Sequence, residues 1–421
     1  MKGILIKEIL LNGERKDILI EGGIITQISE DIPVAGKCES GFVLIDGEGK
    51  AVIPGLVNMH THTAMTLMRG IREDDKLQSW LQAIWDIEPK LDEELIYWGT
   101  KLACLEMIKT GTTCFNDQYW MIDAAVKAVE EMGLRSVQPF VILDMFDKEK
   151  GEFLKKECER LYKASAGWGE LNHFAIGVHS PYSVSEEMIV WAGKFAREHG
   201  LLLHIHVSET ERENIESLEK HSLTPVAYLE RLGVLGPEVI AAHCVWINDE
   251  DIKILARHDV KVVHNINSNL KLASGFMFRY QELKEAGVTV SIGTDGCASS
   301  NNLDMLEAMK TAALVQKAWR KDPAAMPLHE LMDMATVNGA HSLRLNCGKI
   351  EEGALADIAL IDINNYAFTP TINFMANLIY SANSSCVDTL ICNGRILMQN
   401  REVPGEQEII DNVNRIYKKL L

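Results

Sequence analysis

Ala51-Val52-Ile53-Pro54-Gly55-Leu56-Val57-Asn58-Met59-His60-Thr61-His62 is the stretch on which the fold turns. A β-branched and leucine-rich run ends in two histidines two positions apart. Side chains two apart on a strand share a face, so His60 and His62 can bind one ion together. Three further segments repeat the arrangement. His206-Val207-Ser208-Glu209 follows the apolar residues 201–203, His243 follows 239–242, and Thr294-Asp295 follows 288–293. A lone histidine in such a place is more often a satisfied core residue than a ligand. Four such segments at strand ends point instead to a metal-dependent hydrolytic site. Imidazole and carboxylate ligands with no thiolate suit zinc, and suit iron or manganese less well.

Outward from this stretch, strand and helix patterns alternate. Candidate strands cover 53–59, 112–116, 135–143, 174–178, 201–205, 239–242, 261–263 and 289–293, with amphipathic helical segments such as 96–109 and 187–199 between them. Eight strand–helix units predict an α/β fold, a (β/α)8 TIM-type barrel, whose active sites lie at the C-terminal strand ends. Every candidate ligand falls there. A doubly wound open sheet lacks support, because no GxGxxG follows the first strand. Residues 63–89 interrupt the alternation and hold Trp80 and Trp85. Such a long connection reads either as a lid or binding loop or as a helix packed on the barrel.

Both chain ends carry short strands and turns. Residues 4–11 and 17–20 are strand-like, with Asn12-Gly13 and Gly22-Gly23 as turns; 356–362, 387–392 and 395–398 follow suit, with Asn393-Gly394 between the last two. A small β-sandwich domain assembled from residues 1–54 plus 347–421 is expected around a barrel of residues 55–346. For 421 residues two domains are a reasonable prior, and one enlarged barrel would also fit.

A hydrophobic content of 47% supplies a large core, and a net charge of −18 argues against nucleic acid or an anionic membrane as partner. The acidic residues of 209–219 read as a solvated helix face. Nine cysteines without CxxC pairs fit reduced thiols in a cytoplasmic protein. Lys7 and Glu8 interrupt the first apolar stretch, so a signal peptide is not expected, and no apolar run reaches the length of about 18 residues that spans a membrane. A homo-oligomer is compatible with the chain.

Residues 53–62 resemble the opening barrel strand of the amidohydrolase superfamily. Asn267-Ser268-Asn269-Leu270-Lys271-Leu272-Ala273-Ser274-Gly275, Gly293-Thr294-Asp295-Gly296-Cys297-Ala298-Ser299 and Gly353-Ala354-Leu355-Ala356-Asp357 narrow the resemblance to the 5′-methylthioadenosine/S-adenosylhomocysteine deaminase group. It spans nearly the whole chain, although guanine deaminases and triazine hydrolases share much of the pattern. It implies that His60, His62, His206 and Asp295 hold one divalent metal, that Glu209 shuttles protons, and that His243 contacts the hydrolytic water. Asp295 would also accept a proton from that water. Glu88 would bind ribose hydroxyls, His179 would reach the purine, Trp80 would pack on the ligand and Ser299 would line the site. Binuclear relatives add a carboxylated lysine near strand four; no lysine lies within 134–145 or 174–182, which favours a single metal. Members that take S-adenosylhomocysteine hold its carboxylate with arginines, and here Phe140 stands where the first is expected.

The chemistry agrees. Purine deamination needs a nucleophile at neutral pH, which metal binding supplies, and a carboxylic acid to protonate ring nitrogen and leaving amine. A hydrogen-bonding imidazole would stabilise the charge that develops. The other zinc deaminases carry an HxE…PCxxC signature, which is absent. His204 shares a face with His206, so geometry alone admits it as a ligand; the resemblance, through the family's His-x-x-Glu pattern, implies His206. His264 reads as structural. A nucleoside substrate therefore leads. Another amino- or chloro-substituted heterocycle is the rival within the superfamily, and a non-catalytic barrel scaffold is the rival of another class.

Overall fold

The computed structural model describes residues 2–34, 41–75 and 77–420. In chain order, β1 (Gly3–Leu11), β2 (Glu14–Glu21), β3 (Ile24–Ser29), β4 (Phe42–Asp46) and β5 (Lys50–Pro54) precede β6 (Leu56–Thr61). Next come β7 (Thr112–Asp117), β8 (Arg135–Ile142), β9 (Asn172–Val178), β10 (Leu203–Val207), β11 (Val239–His243), β12 (Lys261–His264) and β13 (Val290–Ile292), each followed by helix. The last strands are β14 (Ile358–Asp362), β15 (Val387–Cys392) and β16 (Arg395–Met398).

β6 to β13 form one parallel sheet in chain order. β13 returns beside β6: the Asp295 N–H donates to the His60 carbonyl at 2.9 Å, and Asn58 Nδ2 donates to Thr294 Oγ1 at 2.7 Å. Only glycine fits at 293, where a Cβ would stand 2.8 Å from the His60 nitrogen. This is the expected (β/α)8 barrel. Its strands are covered on both faces, as the wholly buried β8 illustrates.

The other sheet has the order β16-β15-β14-β5-β1-β2-β3, with β4 paired to β1, so it joins both chain ends as expected for the small β-sandwich. Its hairpins are set by local chemistry. Asn12-Gly13, Gly22-Gly23 and Asn393-Gly394 each hold two consecutive positive φ angles, the signature of a type I′ turn. Ile4, Ile6, Ile18, Ile20, Ile358 and Leu360 are buried together on one face of the sheet. The apolar run 53–59, read as one strand, is divided: β5 pairs with β14, whereas β6 pairs with β7. The C-terminal helix Glu406–Ile416 lies on the barrel side, where Ile416 and Leu420 share a cluster with Trp80, Leu95 and Ile96. No helix among the described residues is long and apolar enough to cross a membrane.

Candidate metal centre and active site

Four barrel strands deliver the candidate residues at their C-terminal ends. The β6–β7 register shifts between Asn58 and Thr61. A bulge re-aims side chains, and this one falls where Val57 and Met59, in a buried apolar cluster, give way to His60 and His62. Non-glycine residues in the left-handed region mark the other ends: Ser208 at φ 51°, His243 at 73° and Asp295 at 63°. Such conformations cost energy and cluster at functional sites.

The ligating atoms of His60, His62 and His206 lie within 4.8 Å of one another, as do those of His60, His243 and Asp295. His60 Nε2 and His62 Nε2 stand 3.3 and 3.2 Å from Asp295 Oδ1. The opposite ring nitrogens are engaged. His62 Nδ1 donates to the Gln118 carbonyl at 2.7 Å, His206 Nδ1 to the His179 carbonyl at 2.6 Å, and His243 Nδ1 to Asn269 Oδ1 at 2.8 Å. A carbonyl oxygen can only accept, so each Nδ1 carries the proton and each Nε2 keeps its lone pair for a cation. Asp295 Oδ2 accepts the Ser268 hydroxyl at 2.6 Å, leaving Oδ1 toward the histidines. His60 Nε2 is buried with no hydrogen-bond partner, a cost that a bound ion would remove. The donor set therefore fits a divalent cation. His204 does not point into this space; its Nε2 lies 2.8 Å from His60 Nδ1.

Electrostatics follow from burial. It pulls His60 down to about 4 and His179 to about 3. Burial opposes charge on His62 too, yet the Asp295 carboxylate lifts it to about 9. Asp295 is held well below the usual carboxylate range because His60 and His62 outweigh its burial. Glu209 is pushed up by burial, with His243 pulling the other way, and Glu88 is pushed up to about 7 by burial against the Tyr119 hydroxyl.

His60 lies fully buried, while His62, His206, His243, Asp295, Glu209, Glu88, His179, Trp80 and Ser299 all line one cavity. Glu209 Oε2 is 3.9 Å from His243 Nε2, and Glu209 Oε1 accepts the Ser274 hydroxyl at 3.4 Å. Tyr119 donates to Glu88 Oε1 at 3.1 Å. The connection after β6 proves helical over Leu77–Ile87 and also walls the cavity, so Trp80 is packed and cavity-lining at once. Ser299 spends its hydroxyl on the Gly296 carbonyl. His264 is buried, stacked on Phe278 at 4.0 Å, and outside the cavity's walls.

Phe140 requires a correction. Val141 lines the cavity, and Phe140, on the opposite face of β8, packs in the core with Phe115 and Ile176. It cannot stand in for a substrate-binding arginine. Sequence reading also missed Trp85, Tyr119 and Tyr182 as cavity walls. Tyr119 follows the C-terminal end of β7, a position that itself marks barrel sites. Glu213, read as part of a solvated face, is 5% exposed.

Residues 51–397 match the amidohydrolase family. A 5′-deoxyadenosine deaminase of Methanoregula boonei is 43% identical over 412 residues, covering 97% of this chain and 93% of its own. A 5-methylthioadenosine/S-adenosylhomocysteine deaminase of Thermococcus sibiricus is 43% identical over 386 residues, 91% of this chain and 90% of that one. The crystal structure of an adenosine deaminase from Xanthomonas campestris with bound zinc is 30% identical, with a TM-score of 0.91 over 99% of this chain and 98% of that one. The strand-end cluster, the closed barrel and these likenesses agree, and the chain belongs to the amidohydrolase family.

Proposed function

We propose that the protein hydrolyses the amino group of an adenosine-type nucleoside, releasing the inosine analogue and ammonia. The observation that carries a nucleoside over a free base is Glu88, a half-buried carboxylate on the wall of the histidine-lined cavity, steadied by Tyr119. A diol-binding carboxylate has no purpose for guanine or a triazine. The deaminase names of the relatives support the same reading.

His60, His62, His206 and Asp295 would hold one ion, zinc by the likeness to the zinc-bound deaminase. When bound, a divalent ion supplies the Lewis acidity that makes water nucleophilic near neutral pH. Glu209 delivers a proton to the purine ring nitrogen as the tetrahedral carbon forms, then carries another to the departing amine. Shuttles of this kind contribute roughly 10²–10⁴-fold. Asp295 accepts a proton from the attacking water, and His243, its Nδ1–H held by Asn269, turns Nε2 toward the same water. His179 faces the purine, and Trp80 packs on the ligand.

On the ribose side a second cavity shares Trp85, Glu88 and Trp120 with the first and is walled by Pro89, Leu143, Met145 and Lys150. No arginine lines it among the described residues. Lysine lacks the bidentate fork that selects carboxylates. An uncharged 5′ group is therefore preferred, as in 5′-deoxyadenosine or 5′-methylthioadenosine. The eight described cysteines are free and buried, in keeping with a cytoplasmic location.

The test is kcat/KM for adenosine, 5′-deoxyadenosine, 5′-methylthioadenosine, S-adenosylhomocysteine, adenine and guanine, alongside metal analysis. Expected are one ion per chain, nucleosides far ahead of free bases, and S-adenosylhomocysteine behind the uncharged 5′ substrates. Preference for a free base would overturn the nucleoside reading. Preference for S-adenosylhomocysteine would overturn only the assignment of the 5′ side.

A further inference from the structure

The helix Glu211–His221 that follows β10 is not anchored by an apolar face. Its one described buried residue is Glu213, whereas Ile215 and Leu218 are each 49% exposed. Glu213 Oε1 accepts the Ser208 N–H at 2.9 Å, and Oε2 accepts the Glu209 N–H at 2.8 Å. Among the described residues no lysine, arginine or histidine pairs with it. A buried carboxylate without a cation is an expensive anchor, since desolvation penalises its charge.

A helix-capping role accounts for only part of this geometry. In a capping box the glutamate three residues after the N-cap returns to the N-cap's own N–H. Thr210 is the N-cap here, and its hydroxyl accepts the Glu213 N–H at 3.1 Å. The Glu213 carboxylate faces the Thr210 N–H as well, and its two full hydrogen bonds reach further back, to the two residues that make the turn out of β10. Ser208 in that turn is left-handed at φ 51°. The turn sends the Glu209 side chain over the histidine cluster, where Oε2 stands 3.9 Å from His243 Nε2.

We propose that Glu213 is a positioning residue for deamination: it grips the backbone on both sides of the Ser208–Glu209 peptide and so fixes the reach of the Glu209 carboxylate. This rests on Glu209 as the proton carrier. Misplacing a reacting group by about 1 Å can cost about 10²-fold in rate.

The experiment is a double-mutant cycle on the metal-loaded protein. Glu213→Gln keeps the volume but turns an NH2 toward one of the two N–H groups. Expected is a kcat loss of about ten-fold or more, with KM and metal content close to those of the unmodified protein. In a Glu209→Gln background the same substitution should cost almost nothing, because the group being positioned has gone. Glu213→Asp keeps the carboxylate one methylene short and should fall between the two; it also serves if the glutamine variant folds poorly. An equal kcat loss from Glu213→Gln in both backgrounds, or unchanged kcat in the single variants, overturns the proposal. Full activity of Glu209→Gln alone would instead remove the proton-carrier reading.

Discussion

Glu209 sits between opposing influences: burial raises its carboxyl pKa, while His243 at 3.9 Å pulls it down, and burial prevails. A carboxyl that holds its proton more tightly than usual is suited to give one to a ring nitrogen near neutral pH. Glu209→Gln should keep fold and metal content while kcat falls about 10²-fold or more. Near-normal kcat in that variant would place the shuttle elsewhere. Glu88 gives a pH prediction. Burial lifts its pKa to about 7, and only the ionised form accepts both ribose hydroxyls. Nucleoside KM should therefore improve as pH rises through about 7, and Glu88→Gln should flatten that limb. A charged hydrogen bond is worth about 1.5–3 kcal/mol, so Glu88→Ala should weaken nucleosides about ten-fold or more relative to adenine. A flat KM profile in the unmodified protein would dismiss Glu88 as the diol acceptor. At this scale the clustering of His60, His62, His206 and Asp295 was legible because each closes an apolar run. Glu213 was not, because one glutamate within an acidic stretch carries no local sign of burial. The direction of Phe140 was hidden for a related reason: with both faces of β8 buried, no alternation betrays which face meets the cavity.

Among elements, turn chemistry was the clearest signal. The Asn393-Gly394 turn lies against the Gly22-Gly23 turn, and a Cβ at Gly394 would come within 2.9 Å of the Gly23 Cα. Gly394 also holds φ 69°, which costs an L residue roughly 1–2 kcal/mol. Gly394→Ala should lower stability by at least that amount, read as a fall in the urea midpoint, with kcat unchanged per folded molecule. An unchanged midpoint would mean that the two turns can part freely. All eight barrel strands were legible to within a few residues, since strand-forming runs alternate with helical periodicity. The break inside 53–59 was not. Gly55 separates β5 from β6 within one continuous apolar run, and only pairing partners far along the chain assign each half to its sheet.

Across the whole molecule, one buried ion pair ties the two sheets together. Arg135, the first residue of β8, donates from Nε to Asp357 Oδ2 at 2.9 Å and from Nη2 to Oδ1 at 3.3 Å. The two side chains are 5% and 0% exposed. Asp357 Oδ1 also accepts the Asn393 N–H at 2.7 Å, and the Asp357 carbonyl accepts the Gly55 N–H at 2.8 Å, at the junction of β5 and β6. The Gly353-to-Asp357 motif was legible as the mark of the returning β-sandwich, but its partner lies 222 residues away and no local pattern points to it. The domain division proposed at 54/55 and 346/347 runs beside this pair. Removing one member of a buried pair leaves an uncompensated charge and costs about 3–5 kcal/mol, whereas an apolar pair of similar volume is often neutral. Asp357→Ala should therefore lower the unfolding midpoint strongly, and Arg135→Met with Asp357→Leu should recover most of the loss. Neither side chain lines the active-site cavity, so kcat/KM per folded molecule should hold in the double variant. The continuous core that Ile53, Leu56, Ala359 and Leu390 share makes the alternative concrete: if apolar packing alone joins the sheets, Asp357→Ala will cost less than about 1 kcal/mol.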